Sequence, residues 1–157
     1  MSVERVKSYL KHWNRENDII ELSVSTATSI LAAEALGVEL GRIAKSITIK
    51  SSAGCLLLVT SCDTRIDNKK FKAALGFSPK MLSSDQALEL TGYAVGGICP
   101  FDMPSQIEIY FDESLKRFTT VFPACGSSSS MIELTIAQLE EYAKSQRWVE
   151  VCNIIQV

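Results

Sequence analysis

One histidine, His12, is all that this 157-residue chain offers as a side chain that ordinarily titrates near neutrality. A Ser-His-Asp or Cys-His site would depend on it entirely. His12 falls on an amphipathic N-terminal helix beside the apolar stripe, which suits a surface or half-buried structural role. The five cysteines, Cys55, Cys62, Cys99, Cys125 and Cys152, are odd in number and show no CxxC spacing. That spacing excludes the usual structural zinc motif and the redox pair, and it suits reduced thiols in a cytosolic protein. The metal-ligand clusters of metal catalysis are missing as well, so no metal is expected. Neither GxxxxGK[ST] nor a GxGxxG after a strand occurs, which removes the two common phosphate cradles and leaves no expected cofactor. No apolar run approaches the ~20 residues that span a bilayer. The opening "MSVERVKSYLKHWNREN" is charged every few residues, unlike a signal or transit sequence. A soluble, cytoplasmic protein without a membrane partner is therefore expected.

What is present is a core and a skewed charge. Apolar residues make up 46% of the chain, enough for one globular domain over residues 1–157. Net charge is only −2, yet Arg42 to Lys80 carries eight basic and two acidic residues, whereas both flanking segments are acidic. Such an asymmetry can create a local positive field that recruits polyanions. Lys69, Lys70 and Lys72 could equally solvate one face of a helix.

The patterning alternates helices and strands. Val3, Val6, Leu10 and Trp13 form one stripe of a first helix, and "DIIEL" reads as a strand. Thr26 to Gly37 is expected as a helix with Ala27, Ile30, Leu31 and Ala35 on one face, ended by a left-handed Gly37. "KSITIK", "SSAG" and "CLLLVTS" read as a hairpin. Asp67 caps a helix through Phe71 to Gly76, while Ser83 with Gln86 and Thr135 with Gln138 make two capping-box signatures. "QIEIYFD" and "FTTVFP" are further strand candidates. The alternation predicts one mixed α/β or α+β domain around a central sheet.

"GYAVGGICPFD", Gly92 to Asp102, concentrates glycines and a proline with almost no side-chain chemistry. Such a loop can point consecutive N–H groups into a cavity, because glycine reaches positive φ and lets a ligand approach the backbone. It can equally be a tight turn stiffened by Pro100.

The run "GRIAKSITI", followed by "TGYAVGGICPFD", "IEIYFD", "ACGSSSSMIEL" and an amphipathic helix, resembles the YbaK and prolyl-tRNA-synthetase editing-domain superfamily of aminoacyl-tRNA deacylases. The resemblance extends from about Thr26 to Ala143, nearly the whole chain. It implies a YbaK-like fold, a mixed and mostly antiparallel sheet or partial barrel flanked by helices. The activity it implies is hydrolysis, in trans, of a small amino acid mischarged on tRNA, with tRNA for proline foremost. The partners it implies are the aminoacylated acceptor end and, as a candidate, prolyl-tRNA synthetase, with the protein itself a monomer. A non-catalytic tRNA- or synthetase-binding module of the same fold is the alternative.

On single positions, the resemblance gives Lys45 the phosphate or terminal adenosine of the tRNA, with Ser46 where relatives often carry threonine or asparagine. Gly96, Gly97, Ile98, Cys99 and Pro100 form the family's GxxxP loop, whose amides would grip the aminoacyl carbonyl. Thr26, Ile30, Cys99, Phe101, Gly126, Ser127 and Ser128 are expected around the substrate. Ala124 stands where relatives commonly place serine, and Ser127 and Ser128 where they place basic residues. Cys99 has no neighbouring base or cation in sequence to make it a nucleophile. The mechanism that the resemblance implies uses positioning and the substrate's own groups.

Overall fold

A computed structural model of the chain describes residues 2–23, 28–145 and 147–155. In chain order the elements are α1 (Ser2–Leu10), β1 (Ile20–Glu21), α2 (Ser29–Leu36), β2 (Ile43–Ser51), β3 (Gly54–Ser61) and β4 (Thr64–Ile66). They continue with α3 (Asn68–Leu75), α4 (Ser84–Thr91), β5 (Glu108–Asp112), β6 (Thr120–Pro123), β7 (Ser130–Met131), β8 (Leu134–Thr135), α5 (Ile136–Ala143), β9 (Arg147–Val149) and β10 (Cys152–Ile154).

Most helix ends obey local rules. Thr28 caps α2 through Leu31 N, and Asp67 accepts from the amides of Lys69 and Lys70 at the start of α3. Both capping boxes form, Ser83 with Gln86 and Thr135 with Gln138. Gly37, Gly76 and Gly92 close α2, α3 and α4 in the left-handed conformation that a glycine adopts without steric cost.

Six strands make one curled mixed sheet in the order β8-β6-β2-β3-β5-β9. The β2–β3 hairpin pairs Ala44 with Ser61 through Ser51 with Gly54, as its sequence predicts. β6 joins β2 in parallel, and β5 and β9 extend the other side in parallel. Two short antiparallel pairs, β1 with β7 and β4 with β10, complete the strand set of the described residues, so four of its seven pairings are antiparallel.

β3 lies between β2 and β5 and is covered on both faces. Leu57 and Val59 pack with Val6, Leu10, Ile109, Phe111 and Leu139, while Leu56 and Leu58 pack with Ile49, Phe71 and Val151. That double burial accounts for the unbroken apolar run "CLLLV". A third cluster holds α2 to the sheet through Ala32, Ala33, Ile43, Phe122 and Met131.

The face of α2 differs from expectation. Ala32 and Ala33 are buried, whereas Ile30 and Leu31 are 50% and 45% exposed and Ala35 is exposed. The helix is apolar on several sides, so its periodicity does not choose a face; close packing against β2 selects the small alanines. Ala27 and Thr26 lie outside the described residues. Among the described residues, no helix is long and apolar enough to cross a membrane.

Candidate active site

Between α2, the N-terminal half of β2 and the glycine loop lies a cavity of about 200 Å³. Ser29 and Ala32 come from α2, Ala44 to Ser46 from β2, Gly96 and Ile98 from the loop, and Phe122, Ser128 and Met131 from the β6–β7 region. The β2–β6 pairing, Ile43 with Phe122 and Ala44 with Pro123, carries the distant segment to the same wall. Among the lining residues the titratable side chains are Lys45 and Cys62; there is no carboxylate and no imidazole.

Lys45 is partly buried, and its Nζ donates to the carbonyl oxygen of Thr64 at 2.8 Å. Among the described residues this nitrogen has no carboxylate partner, and an ammonium on a flexible stem suits an anionic ligand. Cys62, not singled out by the sequence, sits beside it and donates from Sγ to Ser29 Oγ at 3.1 Å. Burial pushes the Cys62 thiol above its ordinary value, although Ser29 and the charge of Lys45 act in the opposite direction. The Cys62 proton is therefore retained at neutral pH.

The loop lines the cavity with Val95, Gly96 and Ile98 and sends Cys99 and Phe101 into the core. Gly96 takes φ +98°, and Gly97 N donates to Ala94 O at 3.0 Å, closing a turn. The amides of Gly96 and Ile98 have no acceptor among the described residues. They are the donors left for a ligand, whereas the Gly97 amide is already used. A β-carbon on Gly97 would lie 2.6 Å from the backbone of Gly126, so this glycine serves a close backbone crossing.

Cys99, Pro100 and Phe101 point away from the cavity. Cys99 is fully buried and pushed up to about 11, first by desolvation, and neither it nor Phe101 lines the cavity. Phe101 packs in the core, and its carbonyl accepts from Tyr93 Oη at 2.7 Å. Pro100 lines a separate depression with Tyr9, Asp102 and Met103. These side chains anchor the loop from behind.

The remaining expected residues divide. Lys45, Ser46, Gly96, Ile98 and Ser128 meet at the cavity. Ile30 stands on the exposed side of α2 and is absent from the lining, and Thr26 lies outside the described residues. Ser127 turns to its own loop, Oγ to Ser130 Oγ at 2.7 Å. Gly126 takes φ +95° and packs against the backbone of Ser2 as well as Gly97, so it supports the loop. His12 is exposed, with Nδ1 2.8 Å from Tyr9 O, and is not among the lining residues. All five cysteines are free thiols.

Comparison with known proteins identifies the family and the fold. Residues 24–142 match the family model described as an aminoacyl-tRNA editing domain. The chain is 48% identical over 154 residues to the uncharacterized protein YwhH of Bacillus subtilis, covering 98% of each. It is 32% identical over 104 residues to EbsC of Enterococcus faecalis, a candidate Cys-tRNA(Pro)/Cys-tRNA(Cys) deacylase, covering 65% of this chain and 63% of that one. A crystal structure of a candidate trans-editing enzyme for prolyl-tRNA synthetase superposes with a TM-score of 0.87 at 28% identity, over 97% of both chains.

Proposed function

Because the chain belongs to the aminoacyl-tRNA editing-domain family, we propose that it is a free-standing deacylase that hydrolyses small amino acids mischarged on tRNA, with tRNA for proline the first candidate. The observation that carries this reading is the cavity itself. Lys45, Gly96 and Ile98 line it, the amides of Gly96 and Ile98 have no acceptor among the described residues, and the described walls offer no side chain that ordinarily serves as a base at neutral pH.

In this reading Lys45 holds a phosphate at the 3′ end, and the aminoacyl ester enters between Ala32, Phe122 and Met131. A cavity of about 200 Å³ is smaller than the ~300–1,000 Å³ of a pocket for a drug-sized ligand. It accommodates the aminoacyl group and leaves the rest of the nucleic acid outside. Water adds to the ester carbonyl, and the amides of Gly96 and Ile98 donate to the oxyanion that develops. The bond to the ribose oxygen then breaks, and that oxygen takes up a proton. A ribose hydroxyl of the substrate serves to activate the water. Positioning of this sort contributes ~7–11 kcal/mol in favourable cases, and a single oxyanion donor contributes about 2.7–4 kcal/mol.

A small sieve of this kind has a physical use. One methylene gives a synthetase only ~1–3 kcal/mol of discrimination, so a second site that destroys the errors adds what binding cannot. Prolyl-tRNA synthetase is the candidate partner, and the protein acts as a monomer in this scheme.

The test is release of amino acid from tRNA for proline charged separately with proline, alanine, cysteine and serine. Faster release of one mischarged species than of the prolyl form supports the proposal and names the substrate. Binding of tRNA without release of any of them would leave the non-catalytic module in its place.

A further inference from the structure

A second concavity, of about 440 Å³, opens beside the first and shares Lys45 and Cys62 with it. Arg65, Asn68, Met81 and Ile155 are among its other walls, and among the described residues no acidic side chain lines it. In a chain with 18 acidic residues, two adjoining cavities whose described lining holds Lys45 and Arg65 but no acidic side chain define a positive seam.

The acidic residues of this region are engaged with partners other than Arg65. The acidic residues of the Arg42–Lys80 segment are Asp63 and Asp67. Asp63 is held by both terminal nitrogens of Arg117, at 3.0 and 2.6 Å. Asp67 accepts from the amides of Lys69 and Lys70 and from Asn153 Nδ2 at 2.8 Å. Arg65 is exposed, and its guanidinium has no hydrogen-bond or ion-pair partner among the described residues. Lys72 follows Asn68 by four residues on α3 and therefore stands on the same helix face. Within the same segment Arg42 pairs with Glu133 and Lys70 lies 3.9 Å from Glu150, and outside it Arg5 and Arg15 are each paired with a carboxylate, so Arg65 stands apart from them.

The groove also offers apolar surface. Met81 is 54% exposed and Ile155 partly so, giving a base a side-chain face to rest on between the cations. A positively charged groove that tracks the phosphates holds single-stranded nucleic acid without base-specific hydrogen bonds, and here aliphatic rather than aromatic side chains lie beside the cations.

We propose that this groove seats the unpaired nucleotides that precede the esterified adenosine, with Arg65 on their phosphates and Lys45 at the boundary between nucleotide and aminoacyl group. The inference rests on the deacylase reading of the neighbouring cavity, and it assigns to Arg65 a role in affinity and none in the chemical step.

Fluorescence anisotropy of an RNA hairpin ending in single-stranded 3′-CCA, against the same hairpin ending blunt, tests the groove without any turnover. The wild-type protein should prefer the CCA-ended hairpin. Arg65→Gln should weaken that binding about five- to tenfold, lower the salt slope by about 0.7, and leave the blunt hairpin unaffected. Unchanged melting of Arg65→Gln would show that the fold is intact. Equal affinity of the wild type for both hairpins, equal weakening of both by Arg65→Gln, or displacement of the hairpin by polyglutamate as readily as by RNA would overturn the proposal.

The two readings fail separately. If wild type releases no amino acid from any charged tRNA while Arg65→Gln still loses the CCA preference, the groove stands and the deacylase does not. If Arg65→Gln deacylates with unchanged KM and kcat, the groove is overturned and the deacylase remains.

Discussion

Arg5 in α1 and Asp102 at the end of the glycine loop, 97 residues apart in sequence, meet with Nε 3.1 Å from Oδ2. The same guanidinium donates from Nη1 to Thr91 O at 3.0 Å and lies 4.2 Å from the ring centroid of Tyr93. It also donates to the carbonyl oxygen of Asp102. One side chain thus ties the start of the loop to its end. Asp102 sits at φ +54°, a conformation rare for a residue with a side chain, and this clasp helps to hold it.

Replacing Arg5 with methionine should loosen the loop more than it unfolds the protein. Asp102 is half exposed, so the ion pair alone adds little. The loss of several hydrogen bonds should lower stability by about 1 kcal/mol. Hydrogen exchange of the amides from Gly92 to Asp102 should accelerate, while the amides of β3 keep their protection. Uniform acceleration over both would mean that Arg5 supports the whole fold rather than the loop.

Gly97→Ala should be worse than its size suggests. The added carbon would meet the backbone of Gly126 and Ser127 at 2.6–2.8 Å, and neither can rotate away as a side chain could. A destabilisation of about 1–3 kcal/mol is expected from overpacking, together with loss of amino-acid release. Urea denaturation gives the first quantity, and a normal midpoint would contradict the crossing.

Cys99→Ala should leave deacylation near the wild-type rate, because the thiol is buried, protonated at neutral pH and absent from the cavity lining. The same group makes a stability prediction. Burial raises the thiols of Cys55, Cys99, Cys125 and Cys152 in the folded state, Cys99 to about 11. The folded protein therefore keeps protons that the unfolded chain releases above the ordinary thiol value of 9.0. This contribution is complete below that pH and is lost as pH rises through the raised values, by up to about 1.4 kcal/mol per unit and group. Urea midpoints should fall between about pH 9 and pH 11, and less steeply in Cys99→Ala. A midpoint independent of pH in that window would contradict the buried-thiol assignment.

Much of this fold is legible in the sequence because its signals are local. Asp67, Ser83 and Thr135 start helices by hydrogen bonds within three residues, and Gly37, Gly76 and Gly92 end them by a permitted backbone angle. The β2–β3 hairpin is legible for the same reason. Lys45 and the glycine loop are visible as motifs. What completes the cavity is not local: Cys62, Phe122 and Met131 reach it through strand pairing and the packing of α2, which no single segment encodes. The loop shows why a motif does not give orientation. Its apolar side chains make Cys99 and Phe101 look like pocket residues, yet they are drawn into the core, and Val95, Gly96 and Ile98 are the loop residues that line the cavity. Arg5 lies outside the family match of residues 24–142, and its partners are distant in sequence, so nothing in "VERVK" announces the clasp.

The central claim is that Lys45 and the amides of the glycine loop together perform the hydrolysis. The most direct measurement is single-turnover release of amino acid from the best mischarged tRNA by wild type and by Lys45→Ala, with melting curves recorded for both. The account predicts a fall of at least about 100-fold in Lys45→Ala with an unchanged melting temperature. Release by Lys45→Ala at the wild-type rate would contradict it and place the reaction elsewhere on the molecule.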